Sequence, residues 1–222
     1  MYRFCKRVFD LFIAILALII LSPIWLIAIV LLSLTGEREI FYLQKRIGHK
    51  SKPFFIWKFA TMLKNSPNMG TGEITLRKDP RVTSVGNFLR KTKINELPQL
   101  VNVFKGEMSI VGPRPLMEVS FNLYTPEVGN RIYLSLPGIT GIGSIIFRDE
   151  EIIVSRSSNH RETYNKIFDY KSRVELWYQD NASFYVDIMI VFLTAWTIIF
   201  PKNNLTFKVF KTLPKRPEFF SE

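Results

Sequence analysis

LFIAILALIILSPIWLIAIVLLSL, residues 11–34, is the stretch on which the fold turns, because it carries no charge from Leu11 to Leu34. A straight helix of that length, at about 1.5 Å per residue, would reach roughly 36 Å and cross a bilayer. The run exceeds the h-region of a secretory signal, about 7–15 residues, and no small-residue cleavage site follows it. An ordinary transmembrane helix fits the hydropathy. Ser22-Pro23, in the middle of the run, argues for a bend, since proline removes a backbone donor and crowds the carbonyl four residues back. Ser22 can satisfy the freed backbone group. Arg3, Lys6 and Arg7 precede the run, and Lys45, Arg46, Lys50 and Lys52 follow it. Positive charge on both flanks places both ends on the cytoplasmic side, which a bent helix entering and leaving one leaflet satisfies. Hydropathy alone leaves the spanning and re-entrant forms both open. Cys5, beside the run, reads as a free thiol or a lipidation site.

Composition points the same way. The 222 residues carry 30 Lys+Arg against 19 Asp+Glu, a net charge of +11, with 47% hydrophobic residues. That is too apolar for disorder, and a basic, apolar chain suits a membrane protein that faces anions. The single cysteine excludes an intramolecular disulfide, and two histidines without a cysteine cluster exclude the usual zinc sites. No nucleic-acid module is present and the basic block adjoins the membrane segment, so nucleic acid is not an expected partner.

The expected fold class is an α-rich α+β protein. A membrane helix (1–36) carries a compact domain (37–200) with a short β-hairpin and interfacial helices, followed by a tail (201–222). IFYLQ and FFIWKF, short aromatic and β-branched runs separated by a Gly/His/Lys/Ser/Pro turn, predict the hairpin. It lies in a block, Ile40–Gly72, that has no acidic residue but contains Lys45, Arg46, Lys50, Lys52, Lys58 and Lys64. That block reads either as a solvated basic face or as a surface for anions or lipid headgroups. Residues 63–80 read as a polar loop that could serve as a mobile lid, with helix resuming near Ser84. Tyr164, Ile167, Phe168, Val174 and Trp177 form a helical stripe expected to face the core or the membrane. Ile188–Phe200, preceded by Asp187, is too short to span and reads as interfacial or buried. The segment after Phe200, with Pro201, Pro214 and Pro217, reads as irregular and exposed.

The chemistry concentrates in DPRVTSVGNFLRKTKINELPQLVNVFKGEMSIVGPRP, residues 79–115, which brings Glu96 and Glu107 together with Arg81, Arg90 and Arg114. Arginine forks match phosphate oxygens and stay charged, and arginines near a carboxylate are what phosphate transfer with a divalent metal needs. Asn95-Glu96-Leu97-Pro98 also suits a plain helix start, with Asn95 as N-cap and Glu96 favouring the helix dipole. In Val111-Gly112-Pro113-Arg114-Pro115 two prolines fix the backbone around one arginine, which aims the guanidinium. A buried ion pair is the alternative role for Arg114. PGITGIG, residues 137–143, offers glycines that could cradle phosphate or simply turn the chain.

These segments together resemble the small monotopic phosphoglycosyl transferases, the bacterial sugar transferases that start glycan assembly on a polyprenyl carrier. The resemblance runs through KRVFD (6–10), Ser22-Pro23, QKRIG (44–48), FFIWKFATM (54–62), DPRVT, FLRKT, NELPQLVNVFKGEMSIVGPRP, PGITG and NASFYVDIMIVFLT (181–194). It implies a re-entrant helix and a catalytic domain on the cytoplasmic face of the bacterial inner membrane. It implies transfer of a sugar 1-phosphate from a UDP-sugar donor to polyprenyl (undecaprenyl) phosphate with release of UMP, as the first membrane step of exopolysaccharide assembly. Mg²⁺ as cofactor, membrane lipids and downstream glycosyltransferases as partners are part of the same implication. Carried over by position, Glu96 and Asn95 fall at the catalytic pair, with Glu96 as the metal ligand. Arg90, Arg114, Gly112 and Pro113 fall at phosphate and substrate positions, and Ser22 and Pro23 at the helix break.

The chain departs from the pattern at the catalytic pair. Family members attack phosphorus with the aspartate of an Asp-Glu pair and form a covalent phosphosugar intermediate, whereas this chain reads Asn95-Glu96. An amide is a poor nucleophile and brings no charge to Mg²⁺, so the covalent step does not carry over. Three explanations stand: Glu96 acts as nucleophile or as base in a direct transfer, the chain is a non-catalytic membrane module binding nucleotide sugar or polyprenyl phosphate, or Asn95 is an introduced substitution. Ala60 and Gly143-Ser144 also depart from the family's KFRTM-like and WAQ-like segments.

Overall fold

The computed structural model describes residues 2–66, 79–148, 160–201 and 204–217. The chain opens with helices α1 (Tyr2–Ile20) and α2 (Ser22–Leu34), set at 61° to one another. Pro23 has no N–H to donate to Ile19, the residue four back, and the Ser22 hydroxyl donates to that same carbonyl at 2.7 Å. The Ser-Pro pair therefore both breaks the helix and satisfies the acceptor that the break leaves open. Among the described residues no single helix is long and apolar enough to cross a bilayer, and α1 and α2 pass that test only as a bent pair. This agrees with the re-entrant expectation. Phe12, Ile19 and Ile20 of α1 and Leu26, Ile27 and Val30 of α2 are exposed, an apolar surface of the kind that lipid or a partner covers.

The start of α1 is tied to the rest of the chain by polar groups. Arg7 donates to the carbonyls of Val103 (2.7 Å) and Phe104 (3.0 Å). Lys6 pairs with the buried Asp187 at 2.8 Å, where the hydroxyls of Tyr2 and Tyr178 also donate. Asp10, likewise buried, accepts the Ile110 N–H at 3.0 Å. Removing one partner of a buried ion pair of this kind costs about 3–5 kcal/mol.

A hairpin follows, β1 (Phe41–Ile47) against β2 (Pro53–Phe59), in register from Phe41 opposite Phe59 to Ile47 opposite Pro53. Then come α3 (Ser84–Lys91), whose N-terminus is capped by the Thr83 hydroxyl, a 3₁₀ turn at Ile94–Glu96, and α4 (Gln99–Lys105), closed by Gly106 at φ 84°. Asn102 of α4 receives the Trp57 N–H and donates to the Phe55 carbonyl, fastening β2 to the helix. The remaining elements are β3 (Ser109–Val111), α5 (Glu118–Phe121), α6 (Pro126–Ile132), β4 (Gly138–Thr140), α7 (Ile142–Ile146), α8 (His160–Asn181), α9 (Phe184–Ile199) and α10 (Leu205–Val209). Among the described residues the protein is α-rich with the expected hairpin, joined by a second two-stranded sheet, β3 with β4, that the sequence did not suggest.

The main core gathers Ala14 of α1, Val103, Met108, Val111, Ile142, Ile167, Val174, Trp177, Ile190 and Leu193. The helical stripe of α8 thus faces the core, and α9 buries one face while Ile188, Phe192 and Ile199 stay exposed. A smaller cluster joins Ala28 and Leu32 of α2 to Phe59 and Leu89, with Ile94 and Leu97 packed against it.

Two expectations need correction. The segment after Phe200 is not simply irregular and exposed: α10 forms, and Phe210 and Leu213 are buried, with the Trp177 indole donating to Thr212 at 3.0 Å. Proline and lysine content suggested a loop, but Phe207, Phe210 and Leu213 supply enough apolar surface to dock on α8. The Asn95 N-cap does not form either, because α4 begins after Pro98 and no side chain caps it. The lid expectation falls mainly on residues 67–78, which lie outside the described residues. Next to them Arg81 pairs with Asp79 at 2.6 Å and donates to the Ser66 carbonyl at 2.9 Å, so this buried arginine is structural.

The parallel pairing of β3 with β4 brings backbone onto backbone. A Cβ on Gly112 would lie 2.2 Å from the Leu136 carbonyl oxygen, one on Gly138 would lie 2.1 Å from the Gly112 nitrogen, and one on Gly141 would lie 2.1 Å from the Gly112 oxygen. Gly112→Ala is expected to destabilise the fold by about 3 kcal/mol or more through this overlap, read as a lower midpoint of thermal or denaturant unfolding. For the bent pair, thiol reagents are expected to reach Cys5 and a Lys211→Cys substitution from the same side of the membrane; labelling from opposite sides would rule out re-entry.

Candidate active site

The site grows from the turn between α3 and α4. Lys93 adopts the left-handed conformation at φ 60°, which breaks the chain away from α3 and starts the 3₁₀ turn at Ile94. Ile94 and Leu97 face the α2 cluster. The carboxylate of Glu96 is thereby held at the foot of the membrane helix pair. Arg114 meets it, Nη2 to Oε1 at 3.3 Å.

Arg114 is exposed on a loop whose neighbours are not. Gly112 and Pro113 are buried in the glycine crossing, where the Gly112 N–H donates to Thr140 and the Pro113 carbonyl accepts from Gly138, both at 2.9 Å. The buried Tyr133 hydroxyl donates to the Arg114 carbonyl at 2.7 Å and accepts the Leu116 N–H at 3.2 Å. Gly112 and Pro113 thus hold the arginine rather than line the cleft. Gly138 and Gly141 of residues 137–143 serve the same backbone crossing, while Gly143 faces the Glu175 side chain, which favours the chain-turning reading of that motif.

The facing wall comes from the hairpin. The antiparallel register sets Gln44 and Arg46 of β1 on the same face as Ile56 and Lys58 of β2. The Gln44 amide oxygen accepts from Arg46 Nη2 (2.6 Å) and Lys58 Nζ (3.3 Å), holding two cations side by side. A small cleft results, lined by Arg46, Ile56, Lys58, Gln99, Arg114 and Pro115.

The charges act on one another across it. Burial pushes the Glu96 carboxyl up, but Arg114, with Lys58 and Lys93, outweighs burial and brings it to about 2. Burial and then repulsion by Arg46, with smaller effects of Arg114 and Arg90, pull the Lys58 ammonium down to about 7 against the attraction of Glu96. An ionised carboxylate therefore sits beside a basic cleft, paired with its Arg114, and the cleft's Lys58 is proton-labile near neutrality. Arginine and lysine groups so placed are of the kind that pair with anionic oxygens.

Glu96, Arg114 and the half-buried Arg90 meet in this electrostatic group. Asn95 is adjacent, and its Oδ1 is buried without a hydrogen-bond partner among the described residues. Arg46, Lys58 and Lys93 were not singled out from sequence as site residues. Their signal was the acid-free basic block around the hairpin, but only strand register tells which of its cations share a face.

Among the described residues no group of three or more His, Cys, Asp or Glu is placed to hold a metal ion. Mg²⁺ often takes only one or two protein carboxylates and completes its shell with substrate phosphates and water. Glu96 and the unpartnered Asn95 oxygen, adjacent in sequence, fit that habit.

The family model for "Bacterial sugar transferase" matches residues 1–201. The exopolysaccharide production protein ExoY of Sinorhizobium fredii is 40% identical over 214 residues, covering 90% of this chain and 87% of that protein. The uncharacterized sugar transferase EpsL of Bacillus subtilis is 37% identical, covering 87% of each chain. The undecaprenyl-phosphate galactose phosphotransferase of Salmonella typhimurium is 33% identical over 213 residues, and the match spans only 41% of that longer protein.

The Lys58 shift leads to a pH signature. Bound pyrophosphate favours the protonated ammonium, so affinity falls as pH rises through about 7, where the free Lys58 loses its proton. Lys58→Arg keeps its charge, and using it as reference cancels the titration of pyrophosphate itself. The ratio of wild-type to Lys58→Arg affinity, measured calorimetrically, is expected to fall about tenfold between roughly pH 6 and pH 8.5.

Proposed function

The chain belongs to the bacterial sugar transferase family, and from that premise we propose that it transfers a sugar 1-phosphate from a UDP-sugar to undecaprenyl or a similar polyprenyl phosphate. UMP is the leaving group, and the product is the lipid diphosphate sugar that opens exopolysaccharide assembly. The observation that carries this reading is the placement of Glu96 and Arg114 in a basic cleft whose supporting turn packs on α2. A lipid-borne phosphate has to be met at the membrane surface, and a diphosphate has to be met by cations. Both conditions coincide there. The catalytic domain in this reading lies on the cytoplasmic face of the inner membrane.

Asn95 decides which chemistry the residues can perform. Its amide is no nucleophile, and Glu96, held ionised with a value of about 2, is a weak base and a weak nucleophile. The acceptor needs neither, because a phosphate monoester has lost its second proton above about pH 6 and arrives with a charged oxygen. We assign a direct displacement. An acceptor phosphate oxygen forms a bond to the sugar-bearing phosphorus of the donor, the bond from that phosphorus to the UMP oxygen breaks, and UMP leaves with the bonding pair. Arg46, Lys58, Arg90 and Arg114 bind the diphosphate and offset the charge that develops on the transferring oxygens. Glu96 orients the Arg114 guanidinium through their ion pair. Mg²⁺, where bound by Glu96 and Asn95, would supply Lewis-acid charge neutralisation.

UMP release by the full chain in nanodiscs, with Mg²⁺, undecaprenyl phosphate and a panel of UDP-sugars, tests the reading. Lipid-dependent release is expected from at least one donor, and Glu96→Gln and Arg114→Ala are each expected to lower kcat by about 10² or more. Labelled UMP is not expected to exchange into the UDP-sugar without lipid; such exchange in the wild type would establish a covalent intermediate instead. Asn95→Asp is expected at least to preserve turnover. Silence from every donor in wild type and Asn95→Asp alike would favour the second reading that Asn95 supports, a membrane module that binds nucleotide sugar or polyprenyl phosphate without turning it over.

A further inference from the structure

Gln44 belongs to the QKRIG segment, and the proposed reaction gives it no task. Three polar contacts tie its strand to the residues that follow Arg114. The Ile47 N–H donates to the Leu116 carbonyl at 2.8 Å, Arg46 Nη1 to the Pro115 carbonyl at 3.4 Å, and Gln44 Nε2 to Met117 Sδ at 3.3 Å. β1 therefore runs alongside residues 115–117, antiparallel where Ile47 meets Leu116. The other end of the Gln44 amide faces cations. Its Oε1 accepts from Arg46 Nε (3.1 Å), Arg46 Nη2 (2.6 Å) and Lys58 Nζ (3.3 Å), so one atom gathers a cation from each strand of the hairpin.

Arginine and lysine side chains carry donors and no acceptor, so the two cannot bond to one another and are held together only around a shared acceptor. The orientation of the amide follows from this. Donors on one side demand the oxygen, and the nitrogen turned away meets the Met117 sulfur. What separates Gln44 from a carboxylate in the same place is its neutrality. A carboxylate would fix the same two groups but cancel one of their charges, whereas an amide dipole fixes them and leaves both charges for a ligand. The other charged groups that act on Lys58 are Arg46 of β1, Arg90 of α3, Arg114 and, with opposite sign, Glu96.

We propose that Gln44 is a positioning residue for phosphate binding: its uncharged oxygen holds Arg46 and Lys58 as one cationic clamp, which the contacts of β1 with residues 115–117 set against Arg114. This rests on the phosphate-cleft reading above, and it predicts that the effect of Gln44 on binding passes through the cations it holds. A glutamine that merely stitched the hairpin to the loop would change stability, and its effect would be the same with or without Arg46.

The test is the affinity of the full chain in detergent for inorganic pyrophosphate at about pH 6, where Lys58 is charged, with thermal unfolding recorded for every variant. Gln44→Leu removes the acceptor at similar volume and is expected to weaken binding about tenfold, within the coupling range of contacting residues. In the Arg46→Met background the same substitution is expected to weaken it by less than about threefold. Gln44→Glu keeps the acceptor, and is expected to hold the unfolding midpoint yet weaken binding about tenfold, because its charge opposes the ligand. A carboxylate beside the ammonium also favours its proton. Referred to Lys58→Arg in the same background, the fall of affinity with pH is therefore expected at least about one unit above its wild-type position near 7. Should Gln44→Leu fail to fold, Gln44→Met carries the same comparison. Equal weakening by Gln44→Leu in both backgrounds, none in the wild-type background, or undiminished affinity in Gln44→Glu overturns the proposal. A chain that releases UMP without this coupling overturns this inference alone, and one that shows the coupling but releases no UMP from any donor overturns the transferase reading alone.

Discussion

The contact on which the rest depends is the crossing of Gly112 over Gly138 and Gly141, backbone against backbone. Any Cβ at these positions would fall about 2.1–2.2 Å from a main-chain atom, far inside van der Waals contact, so the two segments approach this closely only because side chains are absent. The approach lets β3 and β4 pair in parallel deep in the core. It also carries Pro113 into the interior and leaves Arg114 as the first exposed residue beyond. Tyr133 then acts on a loop already placed to within one residue. The direction of a single guanidinium is thus the product of a backbone contact that contains no functional group.

Electrostatics in the cleft follow from an imbalance. Glu96 is acted on by Arg114 from the glycine loop, Lys58 from the hairpin and Lys93 from the turn, while Arg46 and Arg90 act on Lys58. Burial alone would make a carboxyl there neutral, and the summed positive potential is stronger than the burial. The same potential, with burial, makes Lys58 give up its proton easily. Such an arrangement is unfavourable while empty, since like charges are held close together. A polyanionic ligand relieves it, and that relief is the physical content of the phosphate-binding reading.

The membrane segment and the domain are one unit at the level of polar contacts. Lys6, Arg7 and Asp10 lie within five residues and reach α9, α4 and β3 respectively. The second half of the bent pair is held differently, through Ala28 and Leu32 on Phe59 and Leu89. The turn that carries Glu96 packs on this apolar cluster, so the helix bend and the site are mechanically adjacent. A straight helix leaving at Ser22 would take α2 away from Leu97 and from the hairpin's first rung.

What could be read in the amino-acid order alone was whatever depends on near neighbours. The proline break at Ser22-Pro23, the alternation that makes the hairpin, the stripe along α8 and the proline-locked Arg114 are consequences of steric and periodic rules acting over a few residues. Resemblance over nearly the full length led to Glu96 and Arg114 as site residues. The local rules misled at Asn95, whose spacing to Pro98 matches a helix start, because packing of Ile94 and Leu97 on α2 winds those residues into a separate turn. They misled again after Phe200, where three apolar side chains outweigh the prolines. Arg46 and Lys58 joined the candidate site only in three dimensions, where strand register chose which cations share a face. Propensity is a property of neighbouring residues, whereas a charge cluster is a sum over distances through space, and only the packed chain sets those distances.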